Sequence, residues 1–107
     1  MVLKMHGLRN LSGILKRGIP GPEGSITKLL WSLTNQDLCD NAVMMLGPVG
    51  QIAGESETAF NGGFWQYHFL RSKANTIEAG TSEILKNIIA ERILGLPKDF
   101  SRANIKE

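Results

Sequence analysis

The chain has 107 residues, of which 42% are hydrophobic, and its 12 Lys and Arg nearly balance its 10 Asp and Glu. This length suits one small domain and is short for an enzyme that must enclose both a cofactor and a substrate. The balanced charge, without a polybasic run, argues against a nucleic-acid-binding protein. The sequence contains no apolar stretch of about 20 residues, so it predicts no membrane span.

The cysteine content and the N-terminal sequence together predict a cytoplasmic protein. Cys39 is the only cysteine, so no intramolecular disulfide can form, which suits a reducing compartment. We interpret Cys39 as a small core residue rather than a nucleophile. The first residues lack the apolar segment of a signal peptide. His6 and His68 are far apart in the sequence and show no ligand spacing, so we expect no metal site.

Two helices are predicted in the N-terminal half. Residues 2–16 carry apolar side chains at helical spacing but no N-cap signal, so we interpret this helix as the end of a longer one. The Gly- and Pro-rich residues 18–24 predict a turn. Residues 25–46 form the second predicted helix, which Gly47 and Pro48 end. The apolar stripe of this helix consists of Ile26, Leu29, Leu30, Leu33, Leu38, Ala42, Met45 and Leu46.

Two further helices are predicted in the C-terminal half, after residues 50–63, which are small and polar and predict an exposed, mobile loop. Residues 64–74 are assigned to a third helix, although their aromatic start, F-W-Q-Y-H-F-L, leaves a strand open. Thr81 is the predicted N-cap of a fourth helix that runs to about Gly95. The predicted buried side of this helix consists of Ile84, Leu85, Ile88, Ile89, Ile93 and Leu94.

Residues 76–84, T-I-E-A-G-T-S-E-I, are the segment most suggestive of a binding site. A short extended stretch is predicted to lead through Gly80 into a helix N-terminus, where a ligand can approach the backbone and meet free N–H groups. Such a helix start suits an anion or the electron-rich edge of a cofactor. A loop in which Gly80 only permits a sharp turn explains the same spacing, and the residues alone favour that simpler interpretation.

A family resemblance changes this balance. Residues 71–84, R-S-K-A-N-T-I-E-A-G-T-S-E-I, and residues 87–97, N-I-I-A-E-R-I-L-G-L-P, resemble the C-terminal motif of acyl-CoA dehydrogenases. Residues 21–29 and 44–48 resemble less specific stretches of the same family. The resemblance implies an all-α fold for residues 1–97, namely a partial four-helix bundle without the family's N-terminal helical domain, its β-domain and its first bundle segment. The remaining residues, 98–107, are read as a polar tail.

The resemblance also implies a reaction and partners. Enzymes of this family use FAD to remove two hydrogens across the α,β bond of an acyl-CoA thioester: a base takes the α-proton and the flavin takes the β-hydride. The implied partners are the acyl-CoA, the remaining domains or subunits of such an enzyme, and further copies of the chain. Because it is only part of the fold, we expect the chain to be inactive alone and to hold FAD weakly. The alternative is a non-catalytic helical subunit that keeps the bundle for assembly only.

Site residues are carried over position by position. The family's base position is Ala79, which cannot accept a proton, so the chain is expected to supply no catalytic residue; Glu78, one residue earlier, is expected to point elsewhere. Ala79, through its backbone N–H, and Gly80 match substrate-contact positions. The positions that match flavin contacts are Thr81, Ser82 and Glu83, together with Met44 and Gly47 in a stretch that touches the flavin of a neighbouring subunit. Met44 stands where the family usually has Gln.

Overall fold

All regular secondary structure in the described part of the chain is helical. The computed structural model describes residues 1–52, 54 and 56–98, so the predicted tail lies almost wholly outside the described residues. The helices are α1 (Val2–Arg17), α2 (Gly24–Leu46), α3 (Phe64–Ala74) and α4 (Ser82–Ile88), with a π-helical turn at Ile89–Ile93 and 3₁₀ turns at Gly47–Gln51 and Phe60–Gly63. The all-α prediction is therefore confirmed, and the aromatic segment that left a strand open is a helix.

Three of the helical segments end close to their predicted positions, and a glycine stops each of them. Gly18 follows α1 with a φ of 76°, and its N–H donates to the carbonyl of Ile14 at 2.7 Å. Gly47 and Gly95 follow α2 and the π-helical turn, also with positive φ. A residue without a Cβ adopts these conformations at low cost, so each glycine ends its helix and exposes the last carbonyls.

α2 packs against α3 and α4 through a face that coincides only in part with the predicted apolar stripe. The stripe residues that are partly buried are Ile26, Leu29, Leu30, Ala42 and Leu46. Ser32 and Cys39 on this face are buried, whereas Leu38 and Met45 of the predicted stripe are 56% and 89% exposed. Lys28 and its hydrogen bonds to backbone carbonyls lie on the same side of the helix. The predicted stripe is therefore correct only in part, since the side of α2 that meets backbone carbonyls needs hydrogen-bond donors, which Lys28 and Gln36 supply.

The helices form an open layer rather than a closed bundle. The principal extents are 57 × 44 × 19 Å, so the layer is about two helix diameters of roughly 10 Å thick. The radius of gyration is 18.9 Å, against about 13 Å for a compact domain of this length. On α4 only one side is covered, so Leu85 is buried while Ile84 and Leu94 of its predicted buried side are exposed.

α1 is attached to the start of α2 by polar contacts. Asn10 donates to the Thr27 hydroxyl at 2.7 Å, and Arg17 forms two hydrogen bonds of 3.0 and 3.1 Å to the carboxylate of Glu23. The Arg17 bond is the main reason that the pKa of Glu23 lies below its ordinary value. No side chain of α1 is buried, so its apolar residues lie on the outside of the layer.

Candidate functional site

A compact turn joins α3 to α4 and carries the residues predicted to form a binding site. The N–H groups of Ile77 and Glu78 both donate to the carbonyl of Ala74 at 2.9 Å, and the N–H of Ser82 donates to the carbonyl of Thr76 at 3.1 Å. The predicted extended stretch was therefore wrong. The reason is that the free carbonyls at the end of α3 fold the next residues back onto the helix, and the sequence pattern does not reveal this.

The turn leaves three successive backbone donors available. Ala79 and Gly80 both have positive φ, 54° and 99°. Within the described residues, the N–H groups of Ala79, Gly80 and Thr81 donate to no protein acceptor. Ala79 itself is exposed, so these donors are accessible to a ligand at the surface of the layer. This is the feature of the site with the clearest chemical use, since adjacent free N–H groups stabilise negative charge.

The positive φ of Gly80 leads to a prediction about stability. We expect Gly80→Ala to lower the free energy of unfolding by about 1–3 kcal/mol, because any other residue is strained at this φ. An added Cβ would lie 3.6 Å from the nearest Leu85 side-chain atom, so strain rather than a clash is the cause. Ala79→Gly is the matched control. It should change stability by less than about 1 kcal/mol, because relief of strain is offset by a more disordered unfolded chain. Urea unfolding followed by circular dichroism measures both, and a neutral Gly80→Ala would contradict this account.

Two side chains of α2 hold the turn by its backbone. Lys28 Nζ donates to the carbonyl of Asn75 at 2.7 Å and to that of Gly80 at 2.8 Å. Gln36 Nε2 donates to the carbonyl of Ser72 and to the hydroxyl of Thr76, both at 3.1 Å. The turn is therefore fixed to α2 at both of its ends. Neither residue was among the predicted site residues, although Lys28 lies within the family-like residues 21–29.

Glu78 lies next to the base position but is already paired. Its carboxylate accepts a hydrogen bond of 2.9 Å from Arg71 on α3, and both side chains are about half exposed. Arg71 donates its other terminal nitrogen to the side chain of Asn75 at 3.3 Å. These bonds hold the Glu78 carboxylate against α3.

The three predicted flavin contacts at the start of α4 differ in their surroundings. The Thr81 hydroxyl accepts from the N–H of Ile84 at 3.3 Å and caps the helix. The pKa of Glu83 is lowered because its own backbone N–H and the Thr81 hydroxyl both donate to the carboxylate. Ser82 is only 8% exposed, and its buried hydroxyl has no partner within the described residues. Thr81 and Glu83 therefore remain at the surface, while the Ser82 side chain faces the protein.

Met44 and Gly47, the other two predicted flavin contacts, do not lie near the turn that precedes α4. They lie at the far end of α2 from Lys28, a separation of about 24 Å along a helix that rises 1.5 Å per residue. Met44 is 76% exposed. One copy of the described residues therefore presents two separate surfaces, one at the turn before α4 and one at the end of α2.

Within the described ranges, no group of three His, Cys, Asp or Glu side chains is arranged to hold a metal ion. The helices described here are also too short or too polar to cross a membrane. The candidate site consists of backbone donors and polar side chains. Cys39 does not belong to it, since it is a buried free thiol.

An open layer of helices that presents a donor-rich turn defines a partial helical-bundle domain. Residues 2–94 match the family model for the C-terminal domain of acyl-CoA dehydrogenases. The chain belongs to the acyl-CoA dehydrogenase family, as part of its C-terminal helical domain.

Two curated relatives are similar to the chain. The acyl-CoA dehydrogenase IpdE1 of Mycolicibacterium smegmatis is 42% identical over 82 residues, which covers 75% of this chain and 19% of that protein. The acyl-CoA dehydrogenase IpdE1 of Mycobacterium tuberculosis is 34% identical over 99 residues, which covers 87% of this chain and 25% of that protein. The chain thus spans a fifth to a quarter of the length of these relatives. No solved structure matches it at a significant level.

Proposed function

We propose that the chain is the C-terminal part of an FAD-dependent acyl-CoA dehydrogenase that acts on a fatty-acyl-CoA or related thioester in the cytoplasm. Residues 1–97 would be a bundle-type helical domain of that enzyme and 98–107 a polar tail. The observation that carries the proposal is the turn at residues 79–81, which leaves three backbone donors free at the family's base position. Such donors are useful where negative charge develops on a thioester carbonyl during removal of an α-proton.

Each residue of the turn has a distinct part in this proposal. The N–H of Ala79 would donate to the thioester carbonyl, which favours the enolate-like charge of the transition state. Gly80, which has no Cβ, would allow the acyl chain to approach the backbone. Thr81 and Glu83, at the exposed start of α4, would border the flavin. FAD, when bound, supplies the hydride acceptor, and most of its binding surface would come from parts of the enzyme outside this chain.

The proton acceptor would come from outside this chain. A general base must reach the α-proton within hydrogen-bond distance and have a pKa near the working pH. The Ala79 methyl group cannot accept a proton. The Glu78 carboxylate is already engaged by Arg71, which donates to it at 2.9 Å and holds it against α3. We therefore propose that a carboxylate on another domain or subunit takes the α-proton.

A non-catalytic assembly subunit is the second candidate, and two observations favour it. Ala79 occupies the base position, and several large apolar side chains of α1 and α2 are exposed on the open layer. A subunit retained only for assembly would need these apolar surfaces, while its turn would be free of any chemical requirement.

Flavin content separates the two candidates. We expect the isolated 107-residue chain to be helical by circular dichroism and to retain no flavin absorbance after incubation with FAD and removal of the unbound cofactor. We expect the assembly purified through a tag on this chain, at native expression level, to show a flavin absorbance spectrum. A colourless native assembly would favour the assembly subunit. A yellow, stoichiometric complex of FAD with the isolated chain would contradict the view that the flavin site lies mostly outside it.

A further inference from the structure

We propose that Lys28 is a positioning residue that fixes the turn before α4 and polarises its peptide groups toward the ligand. The inference rests on the proposed function only for the identity of that ligand. The positioning role itself is argued only from the contacts of Lys28. The ammonium group of Lys28 donates to the carbonyls of both Asn75 and Gly80.

The first step of the argument is geometric. In a trans peptide the C=O and the N–H point in opposite directions. Since the Gly80 carbonyl accepts from Lys28 at 2.8 Å, the N–H of Thr81 in the same peptide points away from α2. The Asn75 carbonyl, at 2.7 Å from the same nitrogen, fixes the other end of the turn. One side chain therefore determines the direction of a free donor at the candidate site.

The second step concerns charge. The ion pairs of the described residues involve Arg17, Arg71 and Lys73, so the ammonium of Lys28 has no carboxylate partner there. Lys28 is only partly exposed, and its charge acts on the two carbonyls it contacts. A hydrogen bond from a charged donor is stronger than a neutral one and polarises the peptide that accepts it. The N–H of Thr81 becomes a stronger donor as a result.

Gln36, the other donor of α2 to this region, shows that a neutral side chain is enough to hold the backbone in place. It reaches the Ser72 carbonyl and the Thr76 hydroxyl at 3.1 Å with a neutral amide. An amide suffices to tie α2 to the end of α3, whereas the charged group lies under the peptide that precedes α4. The positive charge of Lys28 therefore lies at the end of the turn where negative charge would develop on a ligand.

Three substitutions separate position from charge in the full 107-residue chain. Lys28→Arg keeps both, Lys28→Gln keeps a donor without charge, and Lys28→Met removes both. The measured quantities are the hydrogen-exchange rate of the Ser82 amide, which donates to Thr76 within the turn, and the amide proton shift of Thr81. Lys16→Met, which removes the same charge from exposed α1, is the control.

We expect Lys28→Met to speed exchange of the Ser82 amide by about tenfold, the size expected for loss of a charged hydrogen bond. Lys28→Arg and Lys16→Met should leave it near the original rate. Lys28→Gln should keep most of the protection but shift the Thr81 proton upfield, because polarisation is lost. If Lys28→Met does not fold, the Arg and Gln variants still decide. Equal Thr81 shifts in those two variants, or an unchanged Ser82 rate in Lys28→Met, would overturn the proposal.

The flavin-loaded assembly provides the functional readout. There we expect Lys28→Met to lower kcat by about tenfold with little change in KM, since the polarised donor matters most in the transition state. Lys28→Arg should restore kcat. A changed Ser82 rate in an assembly without flavin would support the role of Lys28 and reject the proposed function. If Lys28→Met changed neither the flavin content nor the kcat of the assembly, the result would support the proposed function and reject the role of Lys28.

Discussion

Ala79→Glu, in a flavin-loaded assembly that contains this chain, should raise the rate of acyl-CoA dehydrogenation or shift its pH profile. General-base catalysis contributes about 100- to 10,000-fold in rate, so a carboxylate newly placed at the family's base position should have a large effect. The backbone there is already left-handed, with a φ of 54° at an alanine. A glutamate would meet the same strain as the alanine does, so the turn should keep its path.

Glu78→Gln is the matched control for this experiment. It removes the neighbouring carboxylate, which the structure pairs with Arg71 at 2.9 Å, and should change turnover little. Steady-state rates across pH, with flavin absorbance as the check on folding, measure both variants. A loss of 100-fold or more in Glu78→Gln, with flavin retained, is the size expected for removal of a base. That result would show that Glu78 is the base and that the carry-over to Ala79 is out of register.

The isolated chain should self-associate, and the exposed stripe of α2 should drive this. Trp31, Leu38 and Met45 recur every seven residues, so they share one side of the helix. All three are substantially exposed. Large contiguous apolar patches are uncommon on soluble monomers, and identical copies often bury them across a two-fold axis. We expect sedimentation velocity to show dimers or larger species at micromolar concentration.

Charge placed on the stripe tests which surface is responsible. Leu38→Glu together with Met45→Glu should shift the population to monomer, because each would bury an unpaired carboxylate in the interface. Gln51→Glu together with Asn87→Glu adds the same charge at exposed positions of other elements and should leave association unchanged. A clean monomer for the unmodified chain at high concentration would refute the prediction. Equal effects of the two double variants would assign association to net charge instead.

The extent of each helix could be predicted because its end signals are local. Gly18 and Gly47 stop the first two helices, and Thr81 caps the fourth. The face that each helix buries could not be predicted in the same way. Apolar periodicity selects leucines on α2, yet the two buried residues of this helix are Ser32 and Cys39. On α2, Lys28 and Gln36 also donate to backbone carbonyls of α3 and of the turn. A hydropathy pattern contains no information about such acceptors.

The candidate site shows the same division. The positions of Thr81 and Gly80 at a helix start could be predicted from residue type, since capping and left-handed backbone have strong residue preferences. The left-handed φ of Ala79 and the contacts of Lys28 could not, because both depend on partners distant in sequence. The family resemblance located the turn but not what holds it.

The attachment of the turn through main-chain oxygens has a consequence for how the protein can change. The side chains of Ile77, Glu78 and Ala79 are exposed. The bonds from Lys28 accept at the carbonyls of Asn75 and Gly80, which every amino acid possesses, and only the bond from Gln36 to Thr76 accepts at a side chain of the turn. Replacing the exposed side chains therefore leaves the main-chain path intact. Position 79 can therefore gain or lose a reactive side chain by a single substitution while the hydrogen bonds that hold the turn are kept.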